Sequence, residues 1–181
     1  MARQTGTADR VWTWRVAALL LAALAVRLAF NAAGWIPAHF DEAQYWTYGL
    51  EPALGYYSKP PLTAWLIRLQ TGLLGDTLFG LRVSVPLIHL WIGWLIYAAG
   101  RRLFEARTGF WAAAGYTLAP GVTASAALMT TDPPMMLGWA LALYALVRIM
   151  AARRGKAAPE PLAWWAALGL AVGLGSLAKY T

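Results

Sequence analysis

The stretch HFDEAQYWTYGLEPALGYYSKPPL, residues 39–62, carries two adjacent carboxylates, Asp41 and Glu42, and a lone cation, Lys59; a third acid, Asp132, stands in TTDPPMM, residues 130–136. A fixed lysine can hold a phosphate, and carboxylates can bind hydroxyls or take a proton from one. Aromatic rings, here Tyr56 and Tyr57 among others, offer faces for a sugar or a lipid. Together these are the parts needed to hold an anionic headgroup and a polar partner at once. Arg27 lies deep in an apolar run. An unpaired cation at that depth costs a few kcal/mol on insertion scales, about 2.5–3.5, so Arg27 needs a carboxylate, a carbonyl or a ligand phosphate.

Each of these residues also has a purely structural use. Asp41 could cap a helix that starts at Glu42, with Glu42 favoured by the dipole in the first turn. Asp132, directly before Pro133 and Pro134, has the form of an N-cap followed by proline at the first helical position. Lys59 could simply face lipid headgroups. Four coincidences of this kind at one interface are a weaker account than one site.

The elements that must position these residues are hydrophobic. The chain has 181 residues, of which 60% are hydrophobic and 13% charged, against roughly 25% charged in soluble domains. The net charge of +7 comes from basic residues clustered at the ends of apolar runs, so it does not point to nucleic acid. The absence of cysteine excludes disulfides and thiolate metal sites. His39 and His89 are too far apart in the chain to form a metal-ligand spacing.

Five apolar stretches reach or approach the about 20 residues of a spanning helix: Trp14–Trp35, Leu78–Ala99, Phe110–Met129, Pro133–Met150 and Leu162–Ala178. The first is too long for the apolar core of a signal peptide and reads as an uncleaved anchor. Three groups of basic residues fall on one side if the spans alternate: Arg3, Arg10 and Arg15; Arg101, Arg102 and Arg107; Arg148, Arg153, Arg154 and Lys156. Positive residues mark the cytoplasmic side, which places the N-terminus inside and Asp41, Glu42, Lys59 and Asp132 outside.

The outer loop is too long and too aromatic for a plain connector. Leu62, Trp65, Leu66 and Leu69 recur at helical spacing after Pro60-Pro61, which predicts an interfacial helix; Glu42–Leu50 predicts a second. Pro120-Gly121 should kink the third span. Gly169 and Gly173 in the fifth form a small-xxx-small face for close helix approach. Trp91, Trp94 and Trp139, deeper in their spans, are expected to pack against protein. The fold class is therefore all-α and polytopic.

HFDEAQYW, then GYYSKPPL, then TTDPPMM, each after a span of the expected order, resemble the N-terminal part of the polyprenyl-phosphate-sugar-dependent glycosyltransferases of the GT-C fold. This group takes in the ArnT-like lipid A transferases and the protein O-mannosyltransferases of glycosyltransferase family 39. The YYSKPP segment is closer to the bacterial, ArnT-like branch. The resemblance covers residues 1–181 and implies that they form the N-terminal transmembrane part of a longer GT-C domain. It implies a bacterial inner-membrane enzyme that moves a hexose or pentose from a polyprenyl phosphate to a lipid A-like lipid or a protein, on the periplasmic face.

The same resemblance implies roles. Asp41 matches the residue treated as catalytic, Glu42 its neighbour in the acceptor region, and Asp132 the second outer acid. Lys59 matches the lysine that contacts the donor phosphate, and Arg27 a common arginine of the first span. No cofactor is implied, and a divalent metal shared by Asp41, Glu42 and Asp132 stays open, because carboxylates without a fixed spacing are weak evidence for one. The rival reading is a lipid or sugar transporter or channel subunit. That reading expects ionisable residues near the midplane and repeat symmetry between halves, whereas the acids here lie at an interface and no internal repeat is visible.

Overall fold

The computed structural model describes residues 2–154 and 162–180. Lys156 and Thr181 lie outside the described residues, as do the side chains of Arg3, Arg153 and Arg154. All regular structure among the described residues is helical: α1 (Ala2–Ala33), α2 (Phe40–Leu50), α3 (Leu62–Leu74), α4 (Leu78–Arg82), α5 (Ser84–Leu103), α6 (Ala106–Leu118), α7 (Pro120–Ser125), α8 (Asp132–Arg154) and α9 (Leu162–Ala178). The protein is an all-α polytopic membrane protein. Three segments are long and apolar enough to cross a bilayer, Asp9–Ala33, Leu78–Leu103 and Asp132–Ala152, and α9 is a shorter apolar helix.

The expected third span is corrected. Phe110–Met129 is not one helix: α6 stops at Leu118, α7 is a short helix beginning at Pro120, and residues 126–131 are not helical. Proline has no N–H to continue the ladder and clashes with the preceding turn, so the expected kink is a full break. Such a break at membrane depth leaves backbone carbonyls without partners. Arg27 and Asn31, four apart on one face of α1, supply the missing donors: Arg27 Nη2 donates to Thr117 O at 2.7 Å and Asn31 Nδ2 to Ala126 O at 3.5 Å.

Gly34, at φ +65°, ends α1 in the left-handed region that glycine adopts without strain. At the far end of the bundle Arg101 donates to Asp9 Oδ2 at 2.9 and 3.2 Å, tying the start of the first span to the end of the second. Those two spans therefore run antiparallel. A core of Val16, Leu20, Tyr97, Ala106 and Ala113 fills the space between α1, α5 and α6. A second core, Tyr45, Ile67, Leu81, Val85 and Met129, joins the loop helices α2 and α3 to the spans, and this one holds the site in place.

Leu69 and Leu73 of α3 point outward, as an interfacial helix requires, whereas the packing face of α9 differs from the sequence reading. In α3 the buried residues include Thr63, Ile67 and Gln70. Gln70 turns inward because it satisfies the junction between α4 and α5: its Nε2 donates to Leu81 O and its Oε1 accepts from Ser84 N–H at 3.2 Å. The close helix approach uses Gly138 and Gly175, not Gly169 and Gly173. A Cβ on Gly138 would sit 2.8 Å from Ala171 O and 2.9 Å from Gly175 Cα, whereas Gly169 and Gly173 face open space. Trp94 packs on Tyr97, with ring centroids 5.5 Å apart, but Trp91 and Trp139 are exposed.

Candidate active site

The adjacent acids have opposite environments. Glu42, in the first turn of α2, is 0% exposed. Its Oε1 accepts from Arg82 Nε and from Met129 N–H, both at 2.8 Å, and its Oε2 accepts from Arg82 Nη2 at 2.6 Å and His39 N–H at 2.9 Å. Arg82, from α4, is equally buried and also donates to Ile36 O at 2.9 Å and Pro37 O at 3.0 Å. Burial alone would push the Glu42 carboxyl up, but the bonds from Arg82, His39 and Met129, with the Arg82 charge, hold it below its ordinary value.

Among the described residues the Asp41 carboxylate accepts no hydrogen bond; His39 Nδ1 lies 3.8 Å from its Oδ2. The cap of α2 is His39: its Nδ1 accepts the Asp41 N–H at 3.4 Å while Glu42 returns to the His39 N–H, a capping box. The capping use considered for Asp41 is thereby taken by another residue. Its carboxylate is part-exposed and has no donor among the described residues.

Lys59 Nζ lies 5.7 Å from the centre of the Tyr45 ring and makes no ion pair with any described carboxylate. The turn that presents it is closed by reciprocal backbone bonds between Tyr56 and Lys59 at 3.1 and 3.4 Å. Tyr56 stacks on Tyr48 with centroids 4.5 Å apart, and its hydroxyl donates to Glu51 O and accepts from Ala53 N–H, both at 3.3 Å. Tyr56 thus builds the loop, while Tyr57 is fully exposed beside it.

Asp132 opens α8, and its Oδ1 accepts from Lys179 Nζ at 2.7 Å. That bond, then the Asp132 charge, raise the Lys179 ammonium above its ordinary value, and Tyr45 adds to the effect. Tyr45 therefore stands near both lysines. Arg27 is apart from this group, on the end of α6, where it also lines an open apolar cleft of about 590 Å³ with Phe30, Pro120 and Ala127.

Sequence reasoning missed Arg82 and Lys179. Arg82 sits inside an apolar span, the same signal that singled out Arg27. Lys179 is a cation at the end of a span on the side otherwise poor in them. No group of three or more His, Asp or Glu residues gathers for a metal among the described residues. Asp41, Glu42 and Asp132 do not form one, since both Glu42 oxygens are saturated by donors.

The dolichyl-phosphate-mannose-protein mannosyltransferase family model matches residues 58–181. The chain belongs to this family. A lipid A galacturonosyltransferase, RgtD, of Rhizobium johnstonii is 35% identical over 86% of the chain and 31% of its own length. An undecaprenyl phosphate-alpha-4-amino-4-deoxy-L-arabinose arabinosyl transferase of Pseudomonas fluorescens is 32% identical over 96% of the chain and 31% of its own. A similarly named transferase of Pseudomonas aeruginosa is 30% identical over 80% and 24%. The chain thus spans about a third of the length of the first relatives it matches, 31% of each. No solved structure matches. As a family member with ArnT-like relatives, the chain offers as candidates Asp41, the saturated Glu42, Lys59 and the Asp132–Lys179 pair.

Proposed function

We propose that this chain is part of a membrane glycosyltransferase that moves a sugar from a polyprenyl phosphate to a lipid acceptor of the lipid A type, at the outer face of a bacterial inner membrane. The names of the relatives support both donor and acceptor class. The observation that carries the residue assignment is the asymmetry of the acid pair: Glu42 is saturated, whereas Asp41 has no donor among the described residues.

The acceptor oxygen attacks the anomeric carbon, the bond from that carbon to the phosphate oxygen breaks, and polyprenyl phosphate leaves with the electron pair. One displacement inverts the anomeric centre. If the acceptor is a hydroxyl, its proton passes to Asp41, a contribution of about 10² to 10⁴-fold. If it is a phosphate, it is already ionised and Asp41 orients it. Lys59 faces the departing phosphate, where charge grows in the transition state, and Tyr57 offers the sugar or lipid a ring. Asp132, held by Lys179, serves the same cavity as an orienting group.

The test is Asp41→Asn in a chain with the full length of the relatives, assayed with polyprenyl-phosphate-linked 4-amino-4-deoxy-L-arabinose and with the galacturonic acid counterpart. Transfer should fall by at least about 10²-fold with donor binding nearly unchanged. Because His39 caps α2, the substitution leaves the cap intact. Near-parental turnover would remove Asp41 from the mechanism.

A further inference from the structure

The Glu42–Arg82 pair, with both Glu42 carboxylate oxygens engaged, is closed off from a reacting sugar, yet it gathers six hydrogen bonds in a buried site. Stability alone does not account for it, since apolar residues of similar volume commonly replace a buried ion pair without loss. The better-attested use of such a pair is to fix one register among several. Here the Glu42 carboxylate joins three pieces of chain. The first is the opening turn of α2, where Asp41 is its neighbour. The second is the link from α1, held through the His39 N–H directly and the Ile36 and Pro37 carbonyls by way of Arg82. The third is Met129, three residues before Asp132 at the end of the non-helical stretch.

Met129 N–H matters because the broken third segment has no helix to set its position there. Arg27 and Asn31 hold its upstream carbonyls, and Glu42 holds its downstream end. A shift of that end moves the start of α8, and with it the Asp132–Lys179 pair, relative to Asp41.

We propose that Arg82 is a positioning residue for sugar transfer: by saturating Glu42 it sets the separation between Asp41 and the Asp132–Lys179 pair. This inference rests on the glycosyltransferase reading given above. Lysine at position 82 would keep the charge but lack the planar fork that meets two carboxylate oxygens and two carbonyls together. A role through charge alone survives Arg82→Lys; a positioning role does not.

The experiment compares parent, Arg82→Lys and Glu42→Gln, each with the full length of the relatives, in the two donor assays above. Spin labels at Thr47→Cys in α2 and Met136→Cys near the start of α8, with other cysteines removed, report the distance between the two elements. The proposal expects folded variants whose kcat is lower by about 10²-fold, the loss that a misplacement of about 1 Å can cause. It also expects a near-parental KM for the donor and a broadened label-to-label distribution. Parental kcat in folded variants overturns it, as does a loss of kcat with an unbroadened distribution. Failure of both variants to accumulate as folded protein makes the pair structural only and also overturns it. A parent that transfers neither sugar sinks the glycosyltransferase reading and this inference together, whereas a working parent with working variants sinks the inference alone.

Discussion

Lys179 Nζ and Asp132 Oδ1 are 2.7 Å apart, joining the end of α9 to the start of α8 across a pair whose side chains are both about half exposed. An exposed pair of this kind contributes about 0–1 kcal/mol. It is therefore easily exchanged for another partner, such as a phosphate.

The consequence for Lys179 is measurable. Lys179→Ala should lower thermal stability only slightly, by about 1 kcal/mol or less, while weakening the binding of polyprenyl phosphate. The pair's stabilisation is present below the ordinary lysine value of 10.5 and is lost as pH rises through the higher folded value. Stability differences between parent and variant should thus persist across neutral pH and fade in strong alkali.

Lys59 is distinguished from a headgroup lysine by what its loss discriminates. A lysine at the membrane surface is worth about 1 kcal/mol of general attraction to anionic lipid. Lys59→Ala should abolish the preference for phosphorylated over unphosphorylated polyprenol in neutral detergent, and Lys59→Arg should restore part of it. An intact preference in the alanine protein would remove Lys59 from the phosphate.

Arg27→Leu should destabilise the protein by about 1–3 kcal/mol, because Thr117 O loses its donor at membrane depth. Thermal unfolding in detergent measures this. A fall in donor affinity in the folded variant would add a phosphate-facing role; unchanged affinity leaves Arg27 as the cap of α6.

Acid should loosen the loop through Glu42. Its carboxyl is held below the ordinary value of 4.5, so its stabilisation is complete above that value and is lost as pH falls through the lower folded one. Melting temperatures taken from about pH 7 to about pH 3 should drop more steeply for the parent than for Glu42→Gln. Parallel curves would mean that Glu42 does not carry this acid limb.

The elements that carry the site were legible in part: length and hydropathy located three of the five expected spans, helical spacing located α3, and the stretch from Glu42 to Leu50 was expected as a second loop helix. Proline and glycine together marked the break before α7. What escaped were partnerships between distant residues. Glu42 was counted as a free acid because its partner, Arg82, is hidden inside an apolar run forty residues later. His39 is not a favoured cap residue, so only the aspartate two positions on was weighed as the cap. Gly169 and Gly173 have the spacing of a packing face, but which face of α9 meets α8 depends on Gly138, a residue of the other helix.

The early end of α6 has a consequence for the surrounding lipid. Its 13 residues rise only about 20 Å at 1.5 Å per residue, roughly 10 Å less than a typical hydrocarbon core. Such a mismatch is met by thinning of the adjoining bilayer. A leaflet thinned beside α7 would bring its phosphates toward the start of α8, and under the proposed function a lipid-linked donor would then reach the protein without lifting its tail from the hydrocarbon. Transfer measured in vesicles of increasing acyl-chain length should then slow as the leaflet thickens.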